Sequence, residues 1–294
     1  MNQYAYFPGC SLEKIGLSYH MSALETTRQL GIELIELEDW NCCGATAYFA
    51  VDEFLAYALG ARNLAMAEKQ GLDCVAPCSG CYKNMYFANA DLKRDADLAE
   101  HINYALQADD LKFSGRIAVR HLMDVFVHDV GLDEVKARVS QPLSGLRVAP
   151  YYGCQILRPR KDHEDVENPR FFEDLLSAAG ATPVDFPLRL QCCGGALIIT
   201  SRTAALSMVR NLLQSAIRSG ASVIATACPL CQVNLECYQK QVNREFGTEL
   251  SIPVLYFTQI LGLAMGLDPG KLGIGKELVL PTPVLSCMRA GGAQ

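Results

Sequence analysis

Hydrophobic positions follow two different periods along this chain, and segments of the two kinds alternate. Short apolar runs with the length of a strand are each followed by a longer segment in which apolar residues recur every three or four positions, the spacing of an amphipathic helix. Gly31 and Gly71 directly follow two of the helical segments, as expected for helix C-caps. In the first half the pattern predicts strands at residues 4–7, 33–37 and 74–76, helices at 17–30 and 53–70, and a third helix starting at residue 77.

The second half repeats this order of strands and helices. It predicts strands at 146–152, 182–186 and 222–226 and helices at 171–179 and 203–219. Strands that alternate with helices indicate βαβ units with mainly parallel pairing. We therefore predict an α/β fold made of two duplicated modules, each with a small, mainly parallel sheet, packed against each other.

The domain organisation follows from this repeat. We predict a first module at residues 1–93, a largely helical connector at 94–142, a second module at 143–268 and an irregular tail, rich in glycine and proline, at 269–294. No low-complexity linker separates the two modules, which is why we expect them to pack together.

Composition and charge exclude several classes of protein. With 294 residues, 50% of them hydrophobic and 20% charged, the chain has the composition of a globular protein. Its net charge of −6 argues against nucleic acid as a partner, because phosphate binding needs a basic surface. The start of the chain lacks the charged and apolar regions of a signal peptide, and the longest apolar stretch, 252–267, is too interrupted and too short to span a membrane. We expect a cytoplasmic location.

The 13 cysteines carry most of the functional information. A Cys-Cys-Gly motif occurs once in each half, and in both halves it lies 36 positions before a C-x-x-C pair. A single cysteine precedes each motif. All three cysteine groups of each half follow predicted strands, and sites in α/β modules gather at the carboxyl ends of strands. The two sets of five are Cys10, Cys42, Cys43, Cys78 and Cys81, and Cys154, Cys192, Cys193, Cys228 and Cys231.

Each set of five cysteines has three candidate explanations: structural zinc, disulfides and iron–sulfur ligation. Structural zinc takes four ligands in a tetrahedron, and two adjacent cysteines on an extended backbone point apart and chelate one small ion poorly. Disulfides do not suit a cytosolic chain, and adjacent cysteines would form a strained ring. Iron–sulfur ligation suits the pattern best, since adjacent cysteines can reach different irons of one larger cluster. Five thiolates also exceed what an ordinary four-iron cubane needs, which points to an unusual cluster.

Two further features support the iron–sulfur interpretation. Gly44 and Gly194 follow the paired cysteines, and a residue without Cβ lets backbone amides approach an anionic cluster and can adopt a positive φ. A C-x-x-C at the start of a helix also has its thiolates near the positive end of the helix dipole. We therefore predict that these two glycines bind the cofactor and that the ten cysteines are metal ligands. Cys74 lies within a predicted strand and is expected in the core.

The whole pattern resembles the tandem cysteine-rich CCG-domain family. The segments around Cys10 and Cys154, Tyr-Phe-Pro-Gly-Cys-Ser-Leu and Ala-Pro-Tyr-Tyr-Gly-Cys, resemble the B subunit of heterodisulfide reductase, and the likeness runs from Tyr4 to about Leu267. It implies two [4Fe-4S] clusters of a non-cubane type, one held by each set of five cysteines. It also implies reduction of a disulfide to two thiols, or the reverse, because two clusters beside one S–S bond match its two electrons.

The resemblance further implies a multisubunit complex. The chain has no G-x-G-x-x-G nucleotide fingerprint after a strand, so we expect it to need partners that deliver electrons. The implied partners are a ferredoxin-like iron–sulfur subunit of the C type and a flavin subunit of the A type, with a small disulfide or thiol as substrate. Two other functions stay open: an iron–sulfur electron-transfer module of a dehydrogenase complex without disulfide chemistry, and a zinc-stabilised assembly subunit.

Candidate substrate contacts rest on charge and position alone. His20, in the first predicted helix near Cys10, can donate a proton to a departing thiolate, although packing is the simpler role. A basic loop after Cys154 can attract a carboxylate, sulfonate or phosphate, although a solvated loop opposite its own acidic residues is the simpler interpretation. Its candidate residues are Arg158, Arg160, Lys161 and His163. His121 and His128 are expected on one face of a helix, as a polar face or as a weak metal or proton-relay site.

Overall fold

Two separate sheets organise the molecule, one in each half of the chain. A computed structural model describes residues 2–45, 48–159 and 165–291, and within these ranges each sheet has four strands. The strands are β1 (Asn2–Tyr6), β2 (Ile32–Glu36), β3 (Cys74–Ala76), β4 (Val119–His121), β5 (Arg147–Tyr151), β6 (Thr182–Pro183), β7 (Val223–Thr226) and β8 (Val254–Tyr256). Their orders are β2-β1-β3-β4 and β6-β5-β7-β8, with parallel pairing throughout these strands. The predicted α/β fold with two duplicated parallel modules is confirmed.

Helices connect the strands in both halves. The helix predicted at 53–70 has these bounds in the structure. Its N-cap is Asp52, whose carboxylate accepts a hydrogen bond from the Leu55 N–H, and its C-cap is Gly71, with a φ of 71°. A 3₁₀ turn at Gln107–Asp109 and a π-helical segment at Val125–Gly131 complete the first half. The helices are α1 (Leu17–Gln29), α2 (Tyr48–Val51), α3 (Glu53–Gln70), α4 (Ser79–Arg94), α5 (Ala96–Leu106), α6 (Leu122–Asp124), α7 (Leu132–Ala137), α8 (Phe171–Ala178), α9 (Leu197–Thr200), α10 (Arg202–Arg218), α11 (Pro229–Cys237), α12 (Gln239–Phe246), α13 (Phe257–Ala264) and α14 (Thr282–Gly291).

Three segments differ from the prediction. The strand expected at 182–186 is only β6: the Thr182 and Val184 N–H groups donate to the Leu146 and Val148 carbonyls of the neighbouring strand, and the chain then enters a turn at 187–190. The expected connector at 94–142 is rich in helix but also contains β4, a Val-Arg-His segment that pairs with β3 as the fourth strand of the first sheet. The tail expected to be irregular contains α14, since Pro281 and Pro283 lie at its start, where a missing N–H costs little. The remaining domain boundaries stay a prediction.

The two halves share an apolar core. Phe126 of the first half contacts Phe257 of the second edge to face, with ring centroids 5.6 Å apart. Helix α1 packs against α13, and the Ser22 and Thr258 hydroxyls hydrogen-bond across this contact at 2.6 Å. The predicted packing of the modules against each other is therefore confirmed. Cys74 is fully buried in β3, as expected of a core residue.

The strand order determines where a site can form. The chain runs from β1 outward to β2 and then back across the sheet to β3. In open parallel sheets a crevice forms at the carboxyl ends of the two strands where the direction of winding changes, here β1 and β3. The second sheet repeats this arrangement at β5 and β7.

Candidate functional site

Five cysteines of the first half lie beyond the carboxyl ends of three neighbouring strands. Cys10 follows β1, Cys42 and Cys43 follow β2, and Cys78 and Cys81 follow β3. Cys10 and Cys42 are exposed, whereas the other three thiols are buried. The site is therefore open to solvent on one side and enclosed on the other.

The buried thiols from the CCG and C-x-x-C motifs approach each other closely. The Sγ atoms of Cys43 and Cys81 are 3.1 Å apart, and those of Cys193 and Cys231 are 3.6 Å apart. All four are free thiols. Equivalent thiols are thus in contact in both halves, so the sequence repeat is also a repeat of site geometry.

Each C-x-x-C begins a helix, as predicted. Cys78 is the N-cap of α4 and Cys228 is the N-cap of α11, so both sulfurs lie at the positive end of a helix dipole. The pKa of Cys78 is held well below its usual range, mainly by a hydrogen bond with the Cys228 thiol and then by one with Cys81. The two C-x-x-C motifs therefore meet across the boundary between the halves.

Glycines shape the backbone behind the paired cysteines. Gly44 has a φ of 72° and Gly194 a φ of 90°, which confirms the predicted positive φ at both positions. In the second half, the Gly194 N–H donates to the Cys192 Sγ at 3.3 Å and the Gly195 N–H donates to the Cys193 Sγ at 3.5 Å. Backbone amides thus point at the sulfurs, as a group with anionic sulfur requires.

The paired cysteines do not lie on an extended strand, which was the basis for expecting their side chains to point apart. The Cys42 and Cys43 thiols are close enough that each shifts the pKa of the other. Hydrogen bonds from Cys42 and then Cys81 hold the pKa of Cys43 well below its usual range. In the second half the same contacts, first from Cys192, lower the pKa of Cys193 to about 3. The thiolate form is therefore favoured at Cys43 and Cys78 in the first half and at Cys193 in the second.

Equivalent asparagines hold the two CCG loops. The Asn84 Nδ2 donates to the Cys43 carbonyl at 3.2 Å, and the Asn234 Nδ2 donates to the Cys193 carbonyl at 3.1 Å and to that of Gly195 at 2.9 Å. Both side chains are buried and lie three residues past a C-x-x-C motif. They tie each cysteine pair to the helix that carries the other two ligands.

Two further glycines belong to the site, and sequence reasoning did not single them out. A Cβ at Gly9 would lie 3.0 Å from the Cys81 Sγ, and one at Gly153 would lie 3.2 Å from the Cys231 Sγ. Their φ values are +72° and +68°. The available signal was the glycine directly before the single cysteine in both halves.

The surroundings of the two single cysteines differ in charge. An open groove of about 730 Å³ beside Cys10 is lined by Glu13, Glu36, Leu37, Glu38, Asp39 and Trp40. Near Cys154, burial lowers the pKa of Lys83, and neighbouring Arg158 lowers it further. The negative charges of Cys154 and Cys43 raise the pKa of the same ammonium. The Lys83 ammonium, which sequence reasoning missed, is therefore close enough to cysteines of both halves to interact with them.

The predicted substrate contacts are only partly described. The His20 Nδ1 lies 3.1 Å from the hydroxyl of fully buried Tyr6, a contact that a packing role explains. Arg158 is exposed and donates to the Cys154 carbonyl at 3.2 Å. Arg160, Lys161 and His163 lie outside the described residues.

The histidines of the connector do not share a helix face. His121 ends β4 and caps α6 by accepting a hydrogen bond from the Met123 N–H, whereas His128 lies in the π-helical segment. The prediction of a common helical face was wrong because β4 occupies the first of these positions.

The residues present suit an iron–sulfur group in each half. Thiol sulfurs are the donors in both sets, backbone N–H groups point at two of them, and Gly9 and Gly153 leave room that a Cβ would fill. No three cysteine, histidine or carboxylate side chains in the described part of the chain converge where one metal ion would sit. The fit therefore rests on the sulfur pairs and the amides around them.

Comparisons with known proteins agree with this geometry. Residues 4–86 and 148–236 match the CCG family, described as "Cysteine-rich domain", and both sets of five cysteines lie inside these segments. The chain is 36% identical over 279 residues to the "8-methylmenaquinol:fumarate reductase membrane anchor subunit" of Wolinella succinogenes, covering 94% of this chain and 97% of the relative. It is 33% identical over 284 residues to the B subunit of the ferredoxin:CoB-CoM heterodisulfide reductase of Methanosarcina mazei, covering 95% of this chain and 94% of the relative.

A solved structure of a hypothetical protein from Helicobacter pylori has a similar fold, with a TM-score of 0.77 at 16% identity. The likeness covers 95% of this chain and 52% of that one, and at this identity it concerns the fold alone. None of the helices in the described ranges has the length and hydrophobicity needed to cross a bilayer. By its two matched segments and its full-length relatives, the chain belongs to the cysteine-rich CCG-domain family that includes the B subunit of heterodisulfide reductase, with the iron–sulfur redox role that its cysteine sets support.

Proposed function

We propose that the chain is the disulfide-reducing iron–sulfur subunit of a heterodisulfide-reductase-like complex, converting a small disulfide to two thiols or running the reverse reaction. The observation that carries this proposal is the contact between the two C-x-x-C turns at the boundary of the halves, where the Ser79 hydroxyl, next to Cys78, donates to the carbonyl of Ala227, next to Cys228, at 3.1 Å. Reducing one disulfide takes two electrons and two protons, whereas an iron–sulfur cluster normally passes one electron. Two adjacent clusters match that requirement.

The proposed ligands are the two sets of five cysteines. Cys10, Cys42, Cys43, Cys78 and Cys81 would hold one non-cubane [4Fe-4S] cluster, and Cys154, Cys192, Cys193, Cys228 and Cys231 would hold the other. When bound, such clusters supply single electrons and bind sulfur ligands. The chain's own contribution is to orient the sulfurs through α4 and α11 and to close the backbone behind them at Gly44 and Gly194.

Charge near the two single cysteines favours an anionic disulfide that approaches from the second half. The groove beside Cys10 is lined by several carboxylates, which repel an anion. Lys83 and Arg158 near Cys154 attract one, and the basic residues Arg160, Lys161 and His163 follow in the chain. His20 remains a proposed proton donor on the side of the first half.

The proposed partners are a ferredoxin-like iron–sulfur subunit of the C type and a flavin subunit of the A type. Support comes from the Methanosarcina mazei relative, which is named as one component of a ferredoxin-dependent heterodisulfide reductase. The chain itself carries no nucleotide fingerprint, so another subunit would collect the electrons.

A second candidate function is electron transfer without disulfide chemistry. It is favoured by the 36% identity to one component of a menaquinol:fumarate reductase over 97% of that protein. In this role the two clusters would relay electrons between a quinol and another subunit.

Iron analysis tests the cofactor assignment. Anaerobically purified protein should contain about eight irons and about eight sulfides per chain. Cys81→Ser should lose about half of the iron, whereas Cys237→Ser, an exposed thiol outside both sets, should keep all of it. Zinc without iron or sulfide in the wild-type protein contradicts the assignment.

Reoxidation with disulfides separates the two functions. The reduced protein is mixed with the CoB–CoM heterodisulfide or with cystamine, a cationic disulfide, and its paramagnetic resonance is followed. A new signal that forms with the anionic disulfide, and much less with cystamine, supports the proposal. Oxidation by a menaquinone analogue, with no disulfide-dependent signal, favours the relay.

A further inference from the structure

Tyr19 is fully buried between the two cysteine sites, although its helix α1 belongs to the first half. Its hydroxyl lies 2.9 Å from the Pro77 carbonyl and 3.4 Å from the Ala227 carbonyl. These carbonyls belong to the residues directly before Cys78 and Cys228. One hydroxyl therefore reaches the turns that present both C-x-x-C motifs.

The ring of Tyr19 is held by the second half. It stacks on Tyr256, at the end of β8, with centroids 4.3 Å apart and planes 11° from parallel. Phe257 packs against the same ring edge to face at 6.0 Å. Because these contacts fix the ring, the direction of its hydroxyl is fixed as well.

Ser79 forms a second link between the turns. Its hydroxyl donates to the Ala227 carbonyl at 3.1 Å and lies 3.4 Å from the His121 Nε2. The His121 Nδ1 accepts from the Met123 N–H, so a neutral ring carries its proton on Nε2 and donates it to Ser79. This leaves the serine proton for Ala227, whose carbonyl accepts from both hydroxyls.

We propose that Tyr19 and Ser79 are positioning residues that set the separation of the two iron–sulfur clusters. The inference rests on the proposed function, because it needs a cluster in each half. A charge added to one cluster raises the cost of reducing the other, and both this repulsion and the magnetic interaction of their spins weaken steeply with distance. The Tyr19 and Ser79 hydroxyls hold together the turns that precede Cys78 and Cys228. They therefore determine how strongly the two clusters interact.

The test compares variants that each lose one hydroxyl. Tyr19→Phe keeps the stacked ring, and Ser79→Ala keeps the helix start. Both should retain the wild-type iron content. Two readouts are taken on each anaerobically purified, fully loaded protein: the spin–spin splitting of the doubly reduced state, and the separation of the two midpoint potentials in a redox titration. We expect the splitting to narrow and the separation of potentials to shrink in both variants.

Tyr4→Phe is the matched control. The Tyr4 hydroxyl, in the middle of β1, donates to the Asp129 Oδ2 at 2.8 Å, within the first half of the chain. The Tyr4→Phe substitution removes a comparable hydrogen bond within the first half and leaves the turns before Cys78 and Cys228 unchanged. The control should show wild-type splitting and wild-type potentials.

The outcomes distinguish this inference from the proposed function. Wild-type protein with iron for only one cluster contradicts the proposed function before any variant is compared. Wild-type protein with both clusters, and wild-type splitting in fully loaded Tyr19→Phe and Ser79→Ala, overturns the inference alone. If Tyr19→Phe does not fold, Ser79→Ala decides the outcome by the same two readouts.

Discussion

At the scale of single residues, Gly9 and Gly153 show how closely the site is packed. Each lies directly before a single cysteine, has a positive φ, and approaches the second sulfur of the C-x-x-C in its own half. A side chain at either position would raise the free energy of the folded protein in two ways. One is the strain of a left-handed conformation, and the other is a clash with a sulfur that is proposed to bind iron.

Gly9→Ala separates these costs when it is compared with Gly71→Ala. Both glycines have φ near +70°, so each alanine costs about 1–2 kcal/mol of stability. Only the Gly9 variant has a new Cβ 3.0 Å from the Cys81 Sγ, while nothing lies within 4 Å of a Cβ at Gly71. We expect Gly9→Ala alone to lose about half of the bound iron, measured by metal analysis. Full iron in Gly9→Ala contradicts the assignment of Cys81 as a ligand.

Glu236 links stability to pH. Burial raises its pKa from 4.5 to about 7, and its Oε1 accepts hydrogen bonds from the Leu278 and Val279 N–H groups. Between these two pKa values the folded state binds more protons than the unfolded state, so stability falls as pH rises. The carboxylate therefore favours folding less at pH 8 than at pH 6.

Glu236→Gln should remove this dependence. Relative to the variant, the wild-type protein should gain about 1 kcal/mol of unfolding free energy as pH falls from 8 to 6, roughly the equivalent of one pKa unit. Denaturant unfolding of both proteins at the two pH values measures the difference. Parallel pH profiles contradict the raised pKa.

At the scale of elements, α4 and α11 each carry a C-x-x-C at the start and an asparagine one turn later. The asparagine bonds to the CCG loop, so a single helix positions four of the five proposed ligands. Asn89, farther along α4, makes the same kind of bond to the Ile117 carbonyl outside the site. Asn89 is therefore a matched control for Asn84 on the same helix.

Asn84→Ala should loosen the first CCG loop, and Asn89→Ala should not. Asn84→Ala removes the donor to the Cys43 carbonyl and should cost about 1–3 kcal/mol of stability. Asn89→Ala should cost no more than that, because the Ile117 carbonyl keeps the Lys93 ammonium at 3.4 Å. Hydrogen exchange of the Gly44 and Ala45 amides should speed up in Asn84→Ala only. Equal exchange at these amides in the two variants means that Asn84 does not hold the loop.

At the scale of the whole molecule, contacts between the halves connect helices as well as cysteine turns. The α1–α13 contact, with the Ser22–Thr258 hydrogen bond, lies in the same shared core as the Phe126–Phe257 pair. A domain pair joined only by its chain would lack this core. Separation of the halves would expose it.

Cutting the backbone at the exposed turn of Ser144 and Gly145 tests whether the shared core holds the two halves together. A protease site inserted there should be cleaved without separating the halves, because the shared core stays buried. Size-exclusion chromatography should show one species at the intact mass, and denaturing gels should show two fragments. Insertion of the same site at the exposed Asp109–Asp110 turn is the control within one half. Two separate peaks after the first cut contradict a shared core.

Local signals in the sequence were enough for much of the fold and for the cysteine sets. The helix at 53–70 has an acidic N-cap and a C-terminal glycine, and both act within a few residues of the helix ends. The repeated spacing of CCG and C-x-x-C likewise predicted that both sites would have the same form. Strand β4 was missed because three residues are too few to show a period, and only pairing with β3 stabilises them.

Spacing along the chain was enough to predict the alternation of strands and helices, the duplication and the cysteines proposed for each site. Only the folded chain shows that Cys42 and Cys43 lie close together, that Gly9 faces Cys81, and that Tyr19 reaches both cysteine turns. The Tyr19 hydroxyl and the Ala227 carbonyl are 208 positions apart in sequence. Contacts of this kind depend on how two sheets pack, and periodicity within one segment carries no information about the packing partner of another.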